Sequence, residues 1–107
     1  MDVITNNTLR CTIALAALES VVDPELGLNV VDLGLICQVD FDDAAGKIFV
    51  QMMLTARFCP MGESLINAIA RVMEATFPFA GITVLQTFDP PWDHSRISPE
   101  GKRFLNR

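Results

Sequence analysis

Two alternating runs separated by a five-residue turn constrain this chain more than any other feature. In the first, Leu35, Cys37, Val39 and Phe41 fall on one face and Gln38, Asp40 and Asp42 on the other. In the second, Ile48, Val50, Met52 and Leu54 alternate with Phe49, Gln51, Met53 and Thr55. A period of two places successive side chains on opposite faces of a strand. Asp42-Asp43-Ala44-Ala45-Gly46 between them is turn chemistry, so the pair reads as an antiparallel hairpin with one buried face.

Helical signals flank the hairpin. Asn6, Asn7 and Thr8 are capping residues, and Cys11, Leu15, Leu18 and Val22 then recur at helical spacing, predicting a helix over about residues 8–22. Asp23-Pro24 is expected to end it, because the residue before a proline avoids helical geometry. Residues 23–33 read as a loop with apolar anchors. Pro60 suits a first helical position with Cys59 as N-cap, and Leu65, Ile69, Val72 and Met73 form a stripe that runs to about Thr76. A third strand is predicted from Ile82 to Phe88, with Ile82, Val84 and Phe88 on one face. Ser98-Pro99-Glu100 has the composition of another helix start.

The sum is a single domain over residues 1–107, with 89–107 as its C-terminal tail. The expected class is α+β: a two-layer α-β-β-α-β domain, its small sheet mixed or antiparallel, with two helices on one face. The third strand fits either edge of the hairpin. The opposite sheet face would carry Phe49, Met53 and Leu85, a patch for a partner or a homodimer unless Trp92, Phe104 and Leu105 of the tail fold over it.

A formal net charge of −5 without a basic cluster argues against nucleic acid and anionic membrane as partners. No apolar run reaches the roughly 20 residues of a membrane-spanning helix. The N-terminus lacks the basic and apolar regions of a signal peptide, so a cytoplasmic location is expected. The chain has 3 cysteines, Cys11, Cys37 and Cys59, with no Cys-x-x-Cys pair, which speaks against a disulfide framework or a zinc ribbon.

Cys59 is the leading chemical candidate. It falls where a strand pattern gives way to a helix start, and the orphan N–H groups and dipole there favour thiolate over thiol. Arg57 is a candidate partner for that thiolate, and the Thr55 hydroxyl a candidate to bond the sulfur or fix the turn. Cys11 and Cys37 lie on apolar faces and read as core. Asp23 and Glu25 flank Pro24; they either terminate the helix and face solvent, or supply oxygens to a metal beside Cys59. His94, the single histidine, lies in the polar tail and reads as a surface residue. No phosphate loop or dinucleotide fingerprint is present.

Three ordered motifs together resemble a known family. Val22-Asp23-Pro24-Glu25-Leu26-Gly27 with Asn29-Val30-Val31-Asp32-Leu33-Gly34-Leu35-Ile36 is similar to the opening of the metal–sulfur cluster biosynthesis family, which includes PaaD-like and SufT-like proteins. Leu54-Thr55-x-x-x-Cys59-Pro60 is similar to its second motif. Pro90-Pro91-Trp92 with Ile97-Ser98-Pro99-Glu100-Gly101-Lys102 looks PaaD-like. Longer PaaD proteins continue into a Cys-rich extension that this sequence lacks, so a general maturation role is expected, not one tied to a phenylacetyl-CoA oxygenase.

The resemblance implies a small α/β domain that assembles iron–sulfur clusters or delivers them to client apo-proteins, working with carrier or scaffold proteins and not as an enzyme. Asp23, Glu25, Thr55 and Cys59 match its functional positions. A transient iron or iron–sulfur cluster would be ligated by Cys59. A cluster normally takes four thiolates, so the other ligands would come from a second copy, a small thiol or the client. Two further readings stay open: a metal-free adaptor linking carriers to clients, and a thiol enzyme or redox sensor built on Cys59.

Overall fold

In the computed structural model, which describes residues 3–55, 62–88 and 91–106, the two alternating runs form the expected antiparallel hairpin. In chain order the elements are β1 (Ile4–Thr5), α1 (Thr8–Leu18), β2 (Ile36–Asp42), β3 (Lys47–Met52), α2 (Gly62–Thr76), β4 (Gly81–Gln86) and α3 (Pro99–Leu105). A short 3-10 turn at His94–Arg96 precedes α3. The sheet order is β1-β2-β3-β4. β2 and β3 pair antiparallel, while β1 and β4 join the two outer sides in parallel. The class is α+β with a mixed four-stranded sheet, and the third predicted strand takes the β3 edge.

The core lies between the sheet and two helices. Val39, Phe41, Ile48, Val50 and Met52 form one cluster with Ala14 and Leu18 of α1 and Leu65, Ile69 and Met73 of α2. The α2 stripe repeats every three to four residues, so one side of a 15-residue helix meets the pleated face. Asn7 caps α1 by accepting the Arg10 N–H at 3.0 Å.

Three expectations are corrected, and one strand is added. α1 ends at Leu18, not at Val22, so Asp23-Pro24 does not terminate it. Val21 N bonds Leu18 O, after which Val21 O accepts from Val30 N and Val22 bridges Asn29. The chain leaves the helix because strand-like pairing to residues 29–30 takes over its backbone groups, and Val22 becomes 48% exposed. β1 is a strand that the sequence pattern does not predict, since two residues show no period. Asn6 secures it from the side, exchanging two 2.9 Å hydrogen bonds with the Phe41 backbone.

Cys37 does not share the core face with Val39. The register to β3 shifts between Ile36 and Gln38, and one extra residue turns the side chains before it to the other face. Ile36 is buried instead, and half-buried Cys37 lies 3.8 Å from Arg96 Nη2. Finally, the third strand stops at Gln86, so Phe88 lies beyond it and is 46% exposed; Ile82 and Val84 keep the expected face.

The tail covers part of the opposite sheet face. Trp92 Nε1 donates to Leu33 O at 2.7 Å, Arg96 Nε to Gly34 O at 2.7 Å, and Ser98 N to Asp32 O at 2.7 Å. Met53 is buried, whereas Phe49 is half-buried and Leu85 is 51% exposed. Ser98 has two tasks: its Oγ accepts the Gly101 N–H at 3.0 Å and donates to Asp32 Oδ1 at 2.8 Å. Ser98→Ala is expected to cost about 1–3 kcal/mol by losing both a cap and a charge-assisted bond, read as a lower unfolding midpoint in denaturant with an unchanged slope.

Candidate functional site

The site candidates gather around one end of the sheet, where three chain segments meet. The first is the loop 21–34. Asn29 organises it: its Oδ1 accepts from Val31 N at 3.0 Å and Asp32 N at 2.9 Å, and its Nδ2 donates to Asp32 Oδ2 at 2.7 Å. Asp32 in turn receives the tail through Ser98. Gly34 has φ +75°, and a Cβ there would lie 2.3 Å from Arg96 O. The tail crosses so close to Gly34 that only hydrogen fits. Much of the first sequence motif is therefore the means by which loop and tail are fixed to each other.

Asp23 and Glu25 part company within this loop. Asp23 is 2% exposed, the one buried polar or charged residue among those described. Its Oδ1 accepts the Glu25 N–H at 2.8 Å, a side-chain-to-backbone turn across Pro24. Asp23 N bonds Leu28 O, and Gly27 N bonds Asp23 O, closing the turn from both sides. Glu25 itself is exposed.

The second segment is the end of the hairpin. Thr55 is half-buried and lines a cavity of about 80 Å³ with Met53, Leu54, Thr87, Phe88, Pro91 and Trp92. Trp92 was not among the candidates from sequence; its composition neighbours, Pro90-Pro91, gave a loop signal but not its role as a wall. The third segment is the start of α2. Ser64, Leu65, Ala68 and Val72 form a largely apolar cleft with Ser20, Val21, Val22 and Pro24, so the Asp23-Pro24 turn sits against the first turns of this helix. Leu54 Cδ1 lies 2.8 Å from the position of a Gly62 Cβ, which brings the two ends of the 55–61 stretch together. Cys59 and Arg57 lie outside the described residues.

The other two thiols are placed in packed surroundings. Cys11 is buried in the core as expected, and burial pushes its pKa up, opposed by a hydrogen bond with Thr5. Burial also raises Cys37, opposed by the charge of Arg96. In both, the loss of hydration disfavours the anion that binds metal or attacks electrophiles. His94 is exposed, with its ring centroid 5.2 Å from that of Trp92. Among the described residues, no three His, Cys, Asp or Glu side chains converge on one point.

Comparison with known proteins extends this picture. Residues 13–84 match the family described as iron–sulfur cluster assembly protein. The chain is 33% identical over 88 residues to the Fe-S protein maturation auxiliary factor YitW of Bacillus subtilis (strain 168), covering 82% of this chain and 85% of that protein. It is 37% identical over 82 residues to the Fe-S protein maturation auxiliary factor SufT of Staphylococcus aureus (strain USA300), covering 77% and 92%. A crystal structure from Bacillus anthracis, described as a domain of unknown function, DUF59, superimposes with a TM-score of 0.83 at 30% identity, covering 94% of this chain and 98% of that one. A loop, a hairpin end and a helix start arranged as above, in a sequence matched over most of its length, place this chain in the iron–sulfur cluster assembly protein family.

Proposed function

We propose that this protein matures iron–sulfur client proteins by carrying iron or a cluster transiently and handing it to the apo-protein, with the Cys59 thiolate as its ligand. The maturation role is supported by the relatives' description as Fe-S protein maturation auxiliary factors. The ligand assignment is carried by one observation: of the 3 cysteines, Cys11 and Cys37 sit where burial raises their pKa. Cys59 is the thiol that remains.

In this reading iron or the cluster is cargo. Thr55 borders the cargo from its small cavity, and the Asp23 turn fixes the loop beside α2, with Glu25 at its exposed surface. Arg57 is assigned to balancing the charge of the thiolate. Handover is a ligand exchange without change of oxidation state. A client thiol binds the metal and releases its proton, and Cys59 leaves the metal and takes one up. One thiolate falls short of the four a cluster normally takes, which makes the bound state labile. The protein therefore moves cargo in the cytoplasm between carriers and clients, and does not turn over a small molecule.

The test is anaerobic reconstitution with iron and sulfide, comparing wild type with Cys59→Ala and Cys11→Ala. Cys59→Ala is expected to lose iron and the associated visible absorbance, while Cys11→Ala keeps them. Equal iron-to-protein ratios in wild type and Cys59→Ala would remove the ligand role and leave the metal-free adaptor as the better reading.

A further inference from the structure

β4 is the outermost strand of the sheet on its side, and its register to β3 runs without a break from Lys47↔Gly81 to Met52↔Gln86. Its outer edge presents a row of backbone groups over 6 residues with no partner strand among the described residues. Proteins ordinarily guard such an edge with a charge, a proline, a bulge or a very short strand. Gly81-Ile82-Thr83-Val84-Leu85-Gln86 has none of these. The opposite edge strand, β1, is only 2 residues long. Among the described residues, one edge of the sheet is guarded and the other is left open.

We propose that the outer edge of β4 receives an extended segment of the client protein as a fifth strand, and that this segment runs toward the Thr55 cavity. The proposal deepens the delivery reading above and rests on it for the identity of the partner. A strand edge recognises backbone, so its occupant is an extended chain. The flanking side chains specify the rest. Leu85 is 51% exposed on the outer face, and Ile82 and Val84 are half-buried on the helix side. A segment with β-branched or apolar residues in both registers covers them.

A second copy fits this edge poorly. A pair of 6-residue strands is small beside the roughly 800 Å² per partner of a stable interface, and two chains of net charge −5 repel each other. Antiparallel self-pairing also sends the two Thr55 cavities to opposite ends of the joined sheet, so neither site is completed. A client segment has the opposite property. β4 leads directly into Thr87 and Phe88, which line the cavity with Thr55. An added strand lies about 4.8 Å from β4, beside the strand that leads into the lining of that cavity. The cavity, about 80 Å³, has room for one small side chain, and a client cysteine is the ligand that must come close for handover.

Backbone hydrogen exchange with and without an excess of an apo-ferredoxin as the client probe tests this. Amides of β4 are expected to slow by about tenfold or more with the probe, while those of β1 stay unchanged. Thr83→Lys and Leu85→Lys, which place a charge on the outer face of the edge strand, are expected to abolish that protection. Both variants should retain the wild-type circular dichroism and the wild-type iron uptake. Unchanged β4 exchange with the probe would overturn the proposal. So would protection that appears without probe and grows with protein concentration, since it assigns the edge to a second copy. Cys59→Ala separates the two ideas: it is expected to lose iron and keep the β4 protection. Protection with no iron uptake in wild type removes the delivery reading alone, and iron uptake without protection removes the edge proposal alone.

Discussion

Replacing Gly34 with alanine is expected to lower the thermal midpoint by about 8–25 °C. Two costs combine. The residue has φ +75°, where an L side chain costs roughly 1–2 kcal/mol. The added Cβ would also lie 2.3 Å from Arg96 O and 2.8 Å from Arg96 C, and these are backbone atoms that cannot rotate away. Overpacking of this kind adds about 1–3 kcal/mol, for a total of about 2–5 kcal/mol. Relief requires the tail to move, and the tail is held there by Trp92 on Leu33 O and Arg96 on Gly34 O. The variant should therefore lose the Trp92 fluorescence signature of the packed tail before the sheet melts. A midpoint within a few degrees of wild type, with unchanged fluorescence, would mean that the tail does not press on Gly34 in solution.

Asp23→Ala is expected to cost about 2–3 kcal/mol, whereas Asp23→Asn costs less than half of that. The carboxylate is 2% exposed and its Oδ1 holds the Glu25 N–H at 2.8 Å. Alanine removes the acceptor from a buried turn; asparagine keeps an oxygen in the same place and removes only the charge. The pair also separates the two roles offered for this residue. If Asp23→Asn unfolds near the wild-type midpoint yet loses iron uptake in the reconstitution assay, the charge acts on the cargo. If it takes up iron normally while Asp23→Ala is destabilised, the residue fixes the turn and nothing more. Glu25→Gln, at an exposed position, should leave stability within about 0.5 kcal/mol of wild type, so any change in iron uptake reports on function directly.

The strands of the hairpin and the long helix were legible because each repeats its apolar residues at its own period. The turn Asp42–Gly46 and the Ser98-Pro99 helix start were legible because their chemistry is local. The errors share a different cause. Strict alternation puts Cys37 on the Val39 face, but a bulge between Ile36 and Gln38 inserts one residue, so Cys37 only borders the core half-buried. The spacing of Val22 fits a helix, but the backbone groups of Val21 and Val22 find partners near residue 30 instead. Of the two alternatives for the face that carries Met53, open or covered by the tail, Met53 takes the second: it is buried, and Trp92 and Pro91, distant in sequence, line the same cavity.

The candidate site was legible in the same uneven way. Asp23, Glu25 and Thr55 were named from their positions around Pro24 and at a strand end, yet no local pattern distinguishes a buried Asp23 from an exposed Glu25. That distinction comes from the turn that points one carboxylate at the Glu25 N–H. Asn29 and Trp92 fall within the resembling motifs, but no local pattern shows the contacts of Trp92, Arg96 or Asn29, because each acts on backbone groups supplied by another part of the chain or by its own turn.

By itself the sequence determined what depends on neighbours along the chain: the hairpin, the starts of α1 and α3, the α+β class, and motifs specific enough to indicate an iron–sulfur maturation family; the Cys59-Pro60 helix start lies outside the described residues. Only the tertiary structure decided what depends on contacts across the chain. Those are the addition of β1 and β4 to opposite edges in parallel, the clamping of the tail over Gly34, the burial of Asp23 and the wall that Trp92 gives to the Thr55 cavity. The physical reason is that periodicity and capping are set within a few residues, whereas an edge, a bulge or a close backbone approach is fixed by the energy of packing segments distant in the chain, from Ile36 against Met52 at the bulge to Gly34 against Arg96, 62 positions further on.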